Sequence, residues 1–181
     1  MKYTFFTLLF TFCSIALFAQ SESLYEIGVE TQVYPTGVIP GVRFAFLPDS
    51  KNEYTLRVGY QFIDHRDLGK HLDETGSGFG GSIGYRRFLK DNSKGFAIGA
   101  RVDVWKNTID WEDEVIGIPV TGTTDIIVLQ PTAIAEYVFS FGDFKVIPSV
   151  AFGIEWNVKT EGEPTGEGAI LLLGLTLGQR I

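Results

Sequence analysis

Apolar and polar residues alternate along this chain from Leu24 to its last residue, in eight separate runs. Period-two alternation gives a β-strand two unlike faces, and helix spacing is missing throughout. The runs are Leu24–Tyr34, Gly41–Leu47, Glu53–Ile63, Gly78–Phe88, Phe96–Trp105, Thr124–Phe139, Phe144–Asn157 and Ala169–Ile181. One face is bulky and apolar, with Val29, Phe44, Leu56, Val58, Phe79, Ile83, Ile98, Val102, Leu129, Phe152, Ile154, Leu171 and Leu173 among its members. The other face mixes charges of both signs with glycines such as Gly28, Gly59, Gly80, Gly84, Gly99, Gly153 and Gly174.

Eight alternating strands suit two kinds of closed barrel, and they differ in which face points inward. A soluble lipocalin-like barrel puts apolar residues inside and binds a small apolar ligand there. A membrane barrel reverses the faces. The bulky set here would overfill a lumen that eight strands leave only just wide enough for side chains. Glycine also sits in the polar set. On a water-facing surface it would weaken a strand, whereas inside a narrow barrel it relieves crowding. Runs of roughly 9–12 residues match a tilted crossing of a bilayer. Aromatics cluster at run ends, with Tyr25, Phe46, Tyr54, Tyr85, Phe96, Tyr137, Phe139 and Phe144 at one rim and Tyr60, Phe62, Phe79 and Trp156 towards the other. The connections alternate in length. Pro48–Asn52, Leu89–Lys94 and Ser140–Asp143 are tight, while Asp64–Ser77, Lys106–Gly122 and Val158–Glu167 are longer; Pro35–Pro40, expected on the outer side, is short. The expectation is an all-β, eight-stranded antiparallel up-and-down transmembrane β-barrel. Pro131 and Pro148 fall within strands, where each removes a ladder donor, and local bulges are expected there.

Residues 1–20, MKYTFFTLLFTFCSIALFAQ, have a basic start at Lys2, an uncharged apolar run from Phe5 to Phe18, and a small residue at Ala19. This is the layout of a secretory signal peptide cleaved after Ala19, leaving residues 20–181 as one barrel domain. The apolar run is too short for a spanning helix. The single cysteine, Cys13, lies inside it and leaves no cysteine in the mature chain. The formal charge of −7 becomes −8 once Lys2 is removed, which argues against nucleic acid as a partner.

With its export signal, eight strands and glycine–polar inner set, the chain resembles the small outer-membrane β-barrel family, OmpA- or OmpX-like. The resemblance implies the outer membrane of a Gram-negative cell as location. It also implies contact with outer-membrane lipid and lipopolysaccharide, insertion by the outer-membrane assembly machinery, and a monomer. Gln179-Arg180-Ile181 departs from the aromatic ending usual in that family, although Ile181 keeps the outward parity.

On this parity the lumen holds Glu26, Glu30, Asp103, Glu136 and Glu155 against Arg43, Arg57, Arg86, Arg101 and Lys145. Buried charges are costly unless paired, so matched numbers predict an ion-paired polar plug in place of a pore.

Other constellations carry little chemistry. Gly76–Gly81 contains G-x-G-x-x-G, but a strand runs through it, so nucleotide binding is not expected. His65 and His71 lie near Asp64, Asp67, Asp73 and Ser77 without the spacing of a nucleophile–base pair or the four ligands of a closed zinc site. A lipid A-modifying enzyme is thus the lesser alternative, and no cofactor or metal is expected. Acids in the third and fourth outer loops, including Glu161, Glu163 and Glu167, read as a solvated face. The third loop also carries Ile109, Asp110, Trp111, Glu112, Asp113, Glu114, Ile116 and Ile118, of which Ile116, Ile118 and Val120 keep period two. Strands five and six are therefore expected to project as a hairpin whose free edge recruits a protein partner. The functional expectation is envelope structure or surface interaction through the outer loops, without catalysis.

Overall fold

A computed structural model describes residues 25–65, 68–90 and 92–181. The expected signal peptide, Cys13 and Asp67 lie outside the described residues. Eight strands form one closed antiparallel barrel in which each strand pairs with its sequence neighbours and the last pairs with the first. They are β1 (Tyr25–Tyr34), β2 (Gly37–Phe46), β3 (Asn52–Asp64), β4 (Asp73–Phe88), β5 (Gly95–Val115), β6 (Ile118–Phe141), β7 (Phe144–Glu161) and β8 (Gly168–Arg180). Closure leaves the sheet without free edges over the height where all eight strands are present.

The alternation sets the two faces as the composition argument requires. Val58, Phe152 and Leu173 point away from the axis with 64%, 60% and 56% of their surface open, while Arg57 on β3 is buried. Glycines on the inner face make room for what the lumen contains. A Cβ at Gly80 would collide with the Val104 carbonyl and the Trp105 ring, and one at Gly59 would stand 3.4 Å from the same ring. Trp105 lies fully buried in that space, its Nε1 donating to Gln130 Oε1 at 3.1 Å.

The long strands correct the loop assignment. Lys106–Gly122 is no loop: β5 and β6 run through it, are 21 and 24 residues long, and meet in a two-residue turn at Ile116-Gly117. Both turn residues have positive φ, 55° and 75°, as a type I′ turn demands. Past Val104 the outward positions of β5 become Lys106, Thr108, Asp110 and Glu112. Polar residues on an unbroken strand resemble loop composition when read in one dimension. Pro35–Pro40 likewise shrinks to the turn at Pro35-Thr36.

The prolines do not produce the expected bulges. The β6–β7 ladder skips Pro131 and skips the partners of Pro148, then resumes in the same register; β2–β3 does the same around Pro40. Losing one N–H deletes a bond but adds no residue, so pairing is interrupted without a slip. The one register shift in the β6–β7 ladder lies at Ile127/Val128.

Gly80→Val is expected to push Trp105 out of its slot. It should destabilise the barrel by about 1–3 kcal/mol, the usual cost of overpacking, read as an earlier loss of heat-modifiable gel mobility.

Candidate functional site

Two regions concentrate chemistry: the lumen, and the end of the barrel opposite the termini. The lumen is built in layers. Nearest the termini, Phe88, Ala97, Val138 and Ile147 form an apolar floor. Above it, Arg43 pairs with Glu53, Arg86 with Glu53 (2.6 Å) and Glu136, and Lys145 with Glu26. A second cluster follows. Arg57 donates to Glu30, Gln32 and Asp103, each at 2.7 Å. Arg101 reaches Asp103 Oδ2 and Glu30 Oε1, both at 2.9 Å, and Gln32 at 2.7 Å. Towards the opposite end, Tyr34, Ile39, Ile63, Trp105, Ile109, Ile126, Val128, Ala151, Ile170 and Leu172 form an apolar upper layer. The Arg57 guanidinium lies 5.3 Å from the Trp105 ring centroid, joining the charged and apolar layers.

Nine of the ten residues expected in the charge network are brought together. Glu155 is the exception: it faces the lumen near the far mouth, and none of the ion pairs among the described residues includes it. Glu53 takes its place, so five bases still meet five acids. Glu53 heads the third run and shares the inward parity of Arg57, so the alternation itself carried that signal. The lumen lining is also less polar than expected, because β6, β7 and β8 are apolar on both faces near their ends. Ile126, Val128, Ile147, Ile170 and Leu172 carried that signal at inward positions.

The far end is capped. Glu74, at the start of β4, is fully buried and accepts from His65 Nδ1 at 2.6 Å. It also accepts from the amides of Lys70 (2.8 Å), His71 (3.2 Å) and Gly166 (3.1 Å). One carboxylate thus ties the β3–β4 connection to the β7–β8 connection. Burial pushes the Glu74 carboxyl up, but the bonds from His65 and the three amides outweigh it and hold the group below its ordinary value. His71 stacks on Trp111 with centroids 4.3 Å apart. Its Nδ1 faces Asp113 Oδ2 and its Nε2 faces the Pro164 carbonyl, both at 3.2 Å. Trp111 donates to Thr124 Oγ1, which donates to the Glu163 carbonyl.

The partner-loop residues separate accordingly. Ile109 is buried in the upper lumen layer, and Trp111 and Asp113 serve the cap. Asp110 accepts from Thr123 across the hairpin at 2.7 Å. Glu112, Glu114, Ile116 and Ile118 remain on the projecting part of β5 and β6.

No family model matches the chain, and no curated protein matches it in sequence. Solved structures that resemble it share little sequence. The N-terminal β-barrel domain of Pseudomonas aeruginosa OprF is 11% identical, with a TM-score of 0.48 over 85% of this chain and 96% of that one. Neisserial surface protein A is 9% identical, with a TM-score of 0.47 over 87% and 94%. Yersinia pestis Ail, solved with the heparin analogue sucrose octasulfate, is 7% identical, with a TM-score of 0.49 over 87% and 96%. The chain's own closed sheet gives the architecture expected from the resemblance, an eight-stranded antiparallel up-and-down barrel with its apolar face outward.

Two outcomes follow from these layers. Arg57→Met leaves Glu30 and Asp103 short of a cation and should cost about 3–5 kcal/mol, the usual result of breaking a buried pair. Glu155→Gln, outside the network, should leave thermal stability nearly unchanged in the same unfolding assay. The depressed Glu74 pKa stabilises the cap above the ordinary carboxylate value of 4.5, and that contribution is lost as pH falls through the lower folded value. Protection factors of the Lys70, His71 and Gly166 amides should therefore fall on acidification below 4.5 while those of strand amides in the lumen region hold.

Proposed function

We propose that this chain is a non-enzymatic outer-membrane protein, a sealed barrel that spans the bilayer and contacts a protein partner through its β5–β6 hairpin. The observation that carries this reading is a change of chemistry on the outward face at one height around the barrel. Val104, Phe79 and Phe62 give way to Lys106, Ser77 and Asp64 on successive outward positions of β5, β4 and β3. Below that height the outward run from Phe96 to Val104, climbing about 3.4 Å per residue at a tilt of roughly 40°, rises about 21 Å. That matches the apolar band of a bilayer-spanning barrel, about 25 Å tall.

The rims agree. Tyr25 packs on Phe44 and Phe46, Tyr54 on Tyr85, and Tyr137 on Phe96 and Phe139, with centroids 4.6–5.8 Å apart. Such rows suit the interface on the side of the termini, and Tyr60 with Phe62 suits the other. A soluble apolar-ligand barrel would need the opposite orientation. The short connections and both strand termini then face the periplasm, and the cap and hairpin face outward among lipopolysaccharide.

The lumen layers favour a seal over a pore, since an aqueous channel takes about 16 strands. The lipid-modifying alternative is disfavoured at the histidines it would use: Ser77 Oγ lies 2.8 Å from Tyr60 Oη on the outward face, and His65 is held by Glu74.

The hairpin supplies the contact. The β6–β7 ladder begins at Asp125↔Glu161, so Ile118–Thr123 pairs with β5 alone. That edge carries no charge, and Pro119 is the single device among those that usually blunt an exposed strand. Ile116, 96% exposed, occupies a left-handed position that costs a β-branched side chain about 1–2 kcal/mol. Asp110, Glu112 and Glu114 on the adjoining strand favour a basic partner strand.

In planar bilayers the protein should show no stable conductance, and an open channel would overturn the seal. Ile116→Asn should stabilise the hairpin by about 1 kcal/mol, because asparagine tolerates the left-handed turn, while weakening surface adhesion. Deletion of Asp110–Thr121 should abolish adhesion with the barrel intact; unchanged adhesion would overturn the hairpin's role.

A further inference from the structure

The barrel wall is incomplete between β1 and β8. β1 ends at Tyr34 and turns at Pro35-Thr36, and its ladder with β8 stops at Val33↔Leu173. Gly168 to Leu172 therefore pairs with β7 and has no partner on its other side. A cavity of about 310 Å³ occupies the gap. Its lining comes from both faces of the sheet. Tyr34, His65 and Glu155 belong to the lumen mouth, whereas Phe152 and Leu171 are outward residues with 60% and 50% of their surface open. The gap thus joins the polar mouth to the apolar outer wall.

We propose that this cavity binds a single-chain amphiphile with an ammonium head, entering sideways from the outer leaflet. The inference rests on the membrane reading above, because the apolar side of the cavity must face lipid. An unpaired strand edge in hydrocarbon is costly, so an occupant or solvent has to satisfy it. The charge in the cavity selects the head group. Glu155 accepts a hydrogen bond from Gln61 and has His65 nearby, but faces no lysine or arginine among the described residues. Glu167, the other carboxylate in the lining, accepts from the Asn157 amide at 2.9 Å. His65 is committed to Glu74. The site therefore offers carboxylate acceptors to a cationic donor and repels a phosphate or a fatty carboxylate. Its volume lies at the small end of ligand pockets, which run from about 300 to 1,000 Å³. It holds the head and the first part of a chain, and the rest lies over Phe152 and Leu171.

The test uses the full barrel in phosphatidylcholine nanodiscs, titrated with dodecylammonium and with dodecanoate and followed by calorimetry against empty nanodiscs. Expected is saturable one-to-one binding of dodecylammonium, with dodecanoate and the Glu155→Gln variant each weaker by about tenfold, as loss of one charge-assisted hydrogen bond implies. Ala169→Trp, which fills the lipid-side entrance, should abolish binding. Uptake no greater than by empty nanodiscs, or Glu155→Gln binding as tightly as the parent, overturns the proposal. Gel mobility of the same samples separates the two failures. A heat-modifiable barrel without binding sinks the cavity alone, and loss of heat-modifiability sinks the membrane reading together with it.

Discussion

Ten charged side chains are enclosed by a sheet too narrow to leave them in bulk solvent, and this requirement organises the rest of the molecule. A guanidinium or carboxylate in such a lumen is tolerable only when a counter-charge is supplied at bonding distance. Arg57 bridges β3 to β1 and β5 through Glu30 and Asp103, and Arg86 bridges β4 to β3 and β6 through Glu53 and Glu136. Each ion pair therefore fixes the stagger between strands that are not all adjacent. The glycines belong to the same requirement. Gly99 lies against Arg86, Gly84 against Arg101, and Gly178 against Glu26, so the long side chains lie where Cβ atoms would otherwise stand.

Much of this was legible in one dimension because the two faces differ so sharply. Parity alone assigned Glu30, Arg57, Arg101 and Asp103 to the interior and Val58, Phe152 and Leu173 to the exterior. Strand ends were harder to read. Where β5 leaves the apolar zone its outward residues become Lys106, Asp110 and Glu112, and a strand in water has the composition of a loop. Glu53, the first position of its run, was legible by the same parity as Arg57, whereas the apolar inner positions of β6 to β8 were not, because both faces there are greasy. The cap could not be read at all. Glu74 and Gly166 are 92 residues apart, and nothing in either neighbourhood announces the other.

The two ends of the molecule are built differently. The turns beside the termini are tight and locally stabilised, as where Asp49 accepts from the Lys51 and Asn52 amides at 2.7 and 2.8 Å. The opposite end carries the buried Glu74, the His71–Trp111 stack, the gap beside β1 and the hairpin. The proposed contacts all lie at this end, held by the rigid barrel beneath it.

The apolar floor and upper layer have a consequence for the charges between them. Mobile ions screen a pair only where they can approach it, over about 10 Å at 0.1 M salt. Phe88 and Ile147 on one side and Trp105, Ile109 and Ile126 on the other keep electrolyte away from the arginine–carboxylate clusters. The contribution of these interior ion pairs to stability should therefore vary little with ionic strength, unlike that of exposed pairs such as Lys159–Glu161.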